Sequence, residues 1–157
     1  MSLEGKKAPA FSVVDENDQK VALKDFSGKY VVLFFYPRDN TPGCTKEACR
    51  FTDLKKKFEK LDAVILGCSA DTVDKHQNFI SKHKLGVTLL SDPDKKVIQK
   101  YDAWGEKNLY GKKSMGIIRS TVIIDPKGKV VSHWKPVRKA DQHPDVVLEK
   151  LKELASE

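Results

Sequence analysis

Apolar and polar residues alternate, run on, or recur at helical steps in separate stretches of the chain, and each pattern predicts an element. Every residue from Tyr30 to Tyr36 is apolar, as expected of a central strand buried on both faces. Before it, Phe11-Ser12-Val13-Val14 and Lys20-Val21-Ala22-Leu23 flank the polar turn Asp15-Glu16-Asn17-Asp18 and read as an N-terminal β-hairpin. After it, Ala48, Phe51, Leu54, Phe58 and Leu61 recur at steps of three and four, one apolar stripe of a helix. Ala63 to Cys68 reads as a second buried strand, and Ser69-Ala70-Asp71-Thr72 supplies caps for a helix through His83. Val87 to Leu90 is a third strand, and Asp92-Pro93 starts a short helix ending near Tyr101. Trp104 to Gly116, rich in glycine and lysine, reads as a loop. Ser120 to Ile124 and Val130 to Trp134 pair across Asp125-Pro126-Lys127-Gly128, and Pro144 to Leu154 closes the chain as an amphipathic helix. The order β-hairpin, βαβαβα, β-hairpin, α predicts an α/β fold with a mixed sheet and helices on both faces. The crossover rule sets the first two buried strands side by side and parallel.

With 157 residues, 39% hydrophobic and 32% charged, the chain reads as one domain, residues 1–157, with a core that needs no disulfide staples. The run from Tyr30 to Tyr36 is too short to cross a bilayer, and Met1 to Lys7 lack the apolar stretch of a signal peptide. The expected location is therefore cytoplasmic, with no membrane partner. The net charge of +7 raises the question of nucleic acid. Only four of the 29 basic residues are arginine and the lysines are spread along the chain, so no specific nucleic-acid binding is expected.

The chemistry concentrates in Pro37-Arg38-Asp39-Asn40-Thr41-Pro42-Gly43-Cys44-Thr45-Lys46-Glu47-Ala48-Cys49. Here a buried strand gives way to a helix, at the strand edge where open α/β sheets bind ligands. A helix N-terminus presents unpaired N–H groups and partial positive charge, which favour a thiolate. Cys44 is thus a candidate nucleophile toward peroxide. Thr41 can place its hydroxyl over the sulfur because Pro42-Gly43 forces a tight turn. Pro37 ends the strand and shields the sulfur. Arg119, at the start of the later hairpin strand, is a candidate to stabilise the thiolate and polarise the O–O bond. Read singly, each has a plainer meaning: an inert half-buried cysteine, an N-cap, a surface ion-pair partner.

Cys49 follows Cys44 by five residues, about 8.6 Å between Cα atoms in an α-helix, whereas a disulfide needs less than about 7 Å. The two cysteines can bond only if the helix start unwinds. The residues there, Thr45, Lys46, Glu47 and Ala48, include few apolar side chains, so that unwinding should be cheap. Cys68 reads as a core residue. No metal site is expected: Cys44 and Cys49 lack zinc-ligand spacing, and the histidines form no tight cluster. His76 and His83, seven apart, share what reads as a solvated helix face.

Pro37, Thr41 and Cys44 match the P-x-x-x-T-x-x-C signature of peroxiredoxins. The stretch through Cys49, with Trp104-Gly105-Glu106-Lys107, Tyr110-Gly111, Gly116-Ile117 and Arg119-Ser120-Thr121, resembles the bacterioferritin comigratory protein, or peroxiredoxin Q, branch. The resemblance implies a thioredoxin-like three-layer sandwich and an antioxidant peroxidase that reduces hydrogen peroxide and organic hydroperoxides without a cofactor. It implies that Cys44 is the peroxidatic cysteine, that Thr41 and Arg119 activate it, and that Pro37 and Gly43 support the site. Cys49 corresponds to the resolving cysteine, which implies a Cys44–Cys49 redox disulfide recycled by thioredoxin, in a monomer. Trp104 and Trp134 read equally as pocket border or as core. The alternatives are a protein thiol-disulfide oxidoreductase, which usually rests on a C-x-x-C the chain lacks, and a non-catalytic basic binding module.

Overall fold

The chain's computed structural model describes residues 3–156. β3 (Tyr30–Phe35) is buried from Val31 onward, because it lies in the interior of a seven-stranded sheet with helices over it. It pairs in parallel with β4 (Ala63–Ser69), and β4 pairs in parallel with β5 (Thr88–Ser91). On its other side β3 meets β8 (Ser120–Ile124), antiparallel, and β8 meets β9 (Val130–Trp134). The N-terminal hairpin, β1 (Ser12–Val14) and β2 (Lys20–Ala22), extends the far edge, with Val14 opposite Ser91. The order is β2-β1-β5-β4-β3-β8-β9, a mixed sheet with its parallel strands in the middle, as the long apolar runs predict.

Alternate side chains of β3 feed two cores. Val32 and Phe34 face α1 (Pro42–Lys60), α2 (Val73–His83) and α4 (His143–Ala155), packing with Phe51, Phe58, Phe79 and Leu151. Val31, Leu33 and Phe35 face the other way, onto α3 (Lys96–Lys100) and Tyr101, with Val97 and Ile98 fully or almost fully buried. Helices therefore cover both faces, in the three-layer thioredoxin-like arrangement.

Two expectations fail. The stretch from Trp104 to Gly116 is a hairpin of its own, β6 (Trp104–Leu109) and β7 (Lys112–Ile117), with register Trp104↔Ile117 and Lys107↔Ser114. Its lysines and glycines lack the apolar alternation that marks a half-buried strand, and Gly111 (φ +79) turns the hairpin tip. The helix expected from Asp92 is shorter. Asp92 lies ahead of α3 and its carboxylate accepts from the Lys96 and Ile98 N–H groups, so it caps from a distance.

Candidate active site

Cys44 is the third residue of α1, with Thr41 as N-cap (φ −85°, ψ 153°) and Pro42 at the first helical position. Proline there gives up only an N–H that the helix could not pair. The Thr45 N–H closes the first turn onto the Thr41 carbonyl at 2.9 Å. The side chain of Thr41 turns back along the chain. Its hydroxyl donates to the Arg38 carbonyl at 2.9 Å, which ties the loop to the helix start. Pro37, two residues past the end of β3, lines a cavity of about 420 Å³ with Arg38 and Trp104.

Arg119, in the short connection from β7 to β8, reaches the sulfur from 75 residues away: Nη2 donates to Cys44 Sγ at 3.1 Å. Its Nη1 donates to Glu47 Oε1 at 2.8 Å. Burial opposes the Arg119 charge, but Glu47 and Cys44 on its two nitrogens hold it above the ordinary arginine value. Gly43 makes the approach possible, since a Cβ there would lie 3.1 Å from Arg119 Nη2. The structure thus brings Cys44, Gly43 and Arg119 together, ties Thr41 to the loop before them, and sets Pro37 on a neighbouring cavity.

The sequence marks Glu47 only as a polar residue of the helix start, with no role in the chemistry. It follows Cys44 by three residues and so shares its helix face, the signal that could have found it. It is fully buried, and its second oxygen, Oε2, meets no hydrogen-bond partner among the described residues. Burial pushes its carboxyl up to about 7, against the pull of Arg119. The expectation that little holds the first turns of α1 fails here. Glu47 is pinned by a buried hydrogen bond from Arg119 and Ala48 is fully buried, so unwinding has to break the one and uncover the other. Cys49 is half-buried against the α1–α4 core, and its thiol is pushed up by burial and then by Asp53. Both cysteines are free thiols on a continuous helix.

Arg119 also lines a cavity of about 860 Å³, with Lys107, Ile118, His133, Lys135 and Pro136. Cys44 does not line it; the guanidinium connects the cavity to the sulfur. Lys107 is a second missed residue. It reaches the cavity from β6, and burial, then Arg119, lower its ammonium while Cys44 opposes them. Trp104 borders the Pro37 cavity with Lys95 Nζ 5.5 Å from its ring centroid, whereas Trp134 packs edge-on against His143. Cys68 is wholly buried, its thiol pushed well up by burial and then by Asp92.

His76 is not on a solvated face: it is fully buried beside Asp39. Asp39, Asp71 and His76 are the one group of His, Cys, Asp and Glu side chains among the described residues close enough to share a cation, within 4.8 Å. Their ligand atoms are already engaged in hydrogen bonds. Among the described residues no helix is long and apolar enough to cross a membrane.

The AhpC/TSA family model matches residues 4–133. Peroxiredoxin Bcp of Bacillus subtilis is 44% identical over 156 residues, 99% of either chain. The solved structure of Xanthomonas campestris bacterioferritin comigratory protein, described for its alkyl peroxide reduction activity, is 39% identical with a TM-score of 0.87, covering 92% of each chain. A cysteine variant of Xylella fastidiosa PrxQ gives a TM-score of 0.93 at 33% identity, over 99% of this chain and 98% of that one.

Proposed function

The chain belongs to the AhpC/TSA family, in its Bcp/peroxiredoxin Q branch, and from that premise we propose how its residues carry out the thiol peroxidase reaction. The enzyme is a peroxidase that acts on hydroperoxides with a thiol reductant. In the proposed cycle the Cys44 thiolate attacks the distal peroxide oxygen. An S–O bond forms, the O–O bond breaks, and the leaving alkoxide or hydroxide takes up a proton as alcohol or water. Arg119 donates to the sulfur and to the oxygen it approaches, a preorganised donor where negative charge develops. Thr41 contributes through the loop it fastens, and Gly43 leaves room for the guanidinium.

The Cys44 sulfenic acid then condenses with Cys49 as the first turns of α1 unwind, forming the disulfide and releasing water. A dithiol, which we take to be thioredoxin, reduces that disulfide by exchange. In this reading the chain works as one domain, as a monomer in the cytoplasm, on hydrogen peroxide and organic hydroperoxides, with Cys68 a spectator. The single observation that supports the assignment most is Arg119 spanning Cys44 Sγ and Glu47 Oε1. Stopped-flow tryptophan fluorescence tests it, with Trp104 beside Pro37 as the reporter. Reduced protein mixed with equimolar peroxide should oxidise far faster than a free thiol, and Cys44→Ser should abolish the phase. A fast phase that survives in Cys44→Ser overturns the assignment.

A further inference from the structure

The stripe His76–Phe79–His83 on α2 has no part in the cycle above, yet it is turned toward the loop that leads into Cys44. His76 is fully buried, which an imidazole tolerates when both ring nitrogens are matched. They are: Nδ1 lies 2.6 Å from Asp39 Oδ2 and Nε2 lies 2.9 Å from the Leu90 carbonyl oxygen of β5. A carbonyl only accepts, so Nε2 carries hydrogen, and the Asp39 carboxylate faces the other nitrogen. Asp39 also accepts from the Tyr36 hydroxyl at 2.6 Å, and its backbone N–H donates to Asp71 Oδ2 at 2.9 Å. Ser69 at the end of β4 holds that same oxygen at 2.7 Å.

One residue further, Asn40 sits in the left-handed region at φ +62°, with His83 Nε2 3.2 Å from its Oδ1. Phe79 fills the space between the histidines, its ring centroid 6.3 Å from Tyr36 and 5.5 Å from His83. The Thr41 hydroxyl on the Arg38 carbonyl completes the set. Each residue from Arg38 to Thr41 thus takes part in a hydrogen bond, and those of Asp39 and Asn40 run to α2, to Tyr36 just past β3, and to the strand end at Ser69–Asp71.

We propose that Asp39 and His76 are positioning residues for the peroxidatic sulfur, fixing the loop before α1 so that Thr41 and Cys44 return to one place after every turnover. The inference rests on the assignment of Cys44 above. The cycle unwinds residues 42–49 to let Cys49 approach, and the brace lies outside that segment. It therefore persists while the helix start is open and gives the chain a fixed end from which to rewind. Without it the sulfur would meet Arg119 less accurately, and errors of about 1 Å at a reacting centre cost about 10²-fold in rate.

The test is the second-order rate of Cys44 oxidation by hydrogen peroxide in the full chain. His76→Gln should lower it about tenfold or more, and Tyr36→Phe, which keeps the ring and deletes one hydroxyl, about threefold. Val97→Ala, a cavity on the opposite sheet face, should leave the rate at the wild-type value even where its loss of thermal stability is as large. A folded His76→Gln that oxidises at the wild-type rate overturns the proposal, as does equal slowing in Val97→Ala. Should His76→Gln fail to fold, Tyr36→Phe decides by the same rate. Failure of the Cys44 assignment looks different: the fast phase would persist in Cys44→Ser, whatever the brace variants do.

Discussion

Arg119 Nη2 meets Cys44 while Nη1 meets Glu47, a pairing that needs the planar fork of a guanidinium. A lysine donates from a single nitrogen and lacks that fixed two-nitrogen fork. Arg119→Lys should therefore slow the first oxidation by about 10²-fold, comparable to losing one donor from a preorganised site; stopped-flow fluorescence measures it. Glu47 makes a separate prediction, in stability. Its folded value of about 7 lies above the ordinary 4.5, so the folded chain holds a proton that the unfolded chain releases. Its contribution is full below pH 4.5 and is lost as pH rises toward 7. Denaturant midpoints of wild type relative to Glu47→Gln should accordingly decline across that window. An unchanged difference would mean that Glu47 stays charged in the fold.

The start of α1 carries two demands that pull apart. In the proposed cycle it must be helical to set the sulfur against Arg119, and it must open for Cys49 to reach Cys44. Cys49→Ser should leave the first oxidation intact and stop turnover with thioredoxin, with mass spectrometry finding sulfenic or sulfinic acid at Cys44. Continued turnover would assign resolution to another thiol. Much of this element was legible in advance, because proline, glycine and cysteine mark the entry and an apolar stripe marks the buried face. The hold on its first turn was not, since Glu47 reads as an ordinary helix surface residue until Arg119 is known to lie opposite. The same limit hid the role of α2: His76 and His83 show a shared face, but only the fold shows which surface that face meets. β6 and β7 escaped notice because an exposed two-stranded ribbon buries too little to impose a pattern.

At the scale of the molecule, the sheet ties the site to the core. Gly67 in β4 lies under Phe34, which stacks on Phe51 of α1 with centroids 4.6 Å apart. A Cβ at Gly67 would come within 2.7 Å of Phe34 and 2.9 Å of Leu89. Gly67→Ala should thus cost about 1–3 kcal/mol of stability by overpacking, read as a lower denaturant midpoint; an unshifted midpoint would mean that the core relaxes freely there. The central strands β3, β4 and β8 were plain in the sequence, since burial on both faces makes each a largely apolar run. What the sequence leaves open is which distant segments meet, and Cys44 meets Arg119 across 75 residues. That separation has a consequence for a chain still emerging from the ribosome. Both cysteines are synthesised long before the arginine, so under the proposed mechanism a nascent chain carries an unassisted thiol, and peroxide sensitivity arrives only when synthesis has passed β8 and that strand has docked.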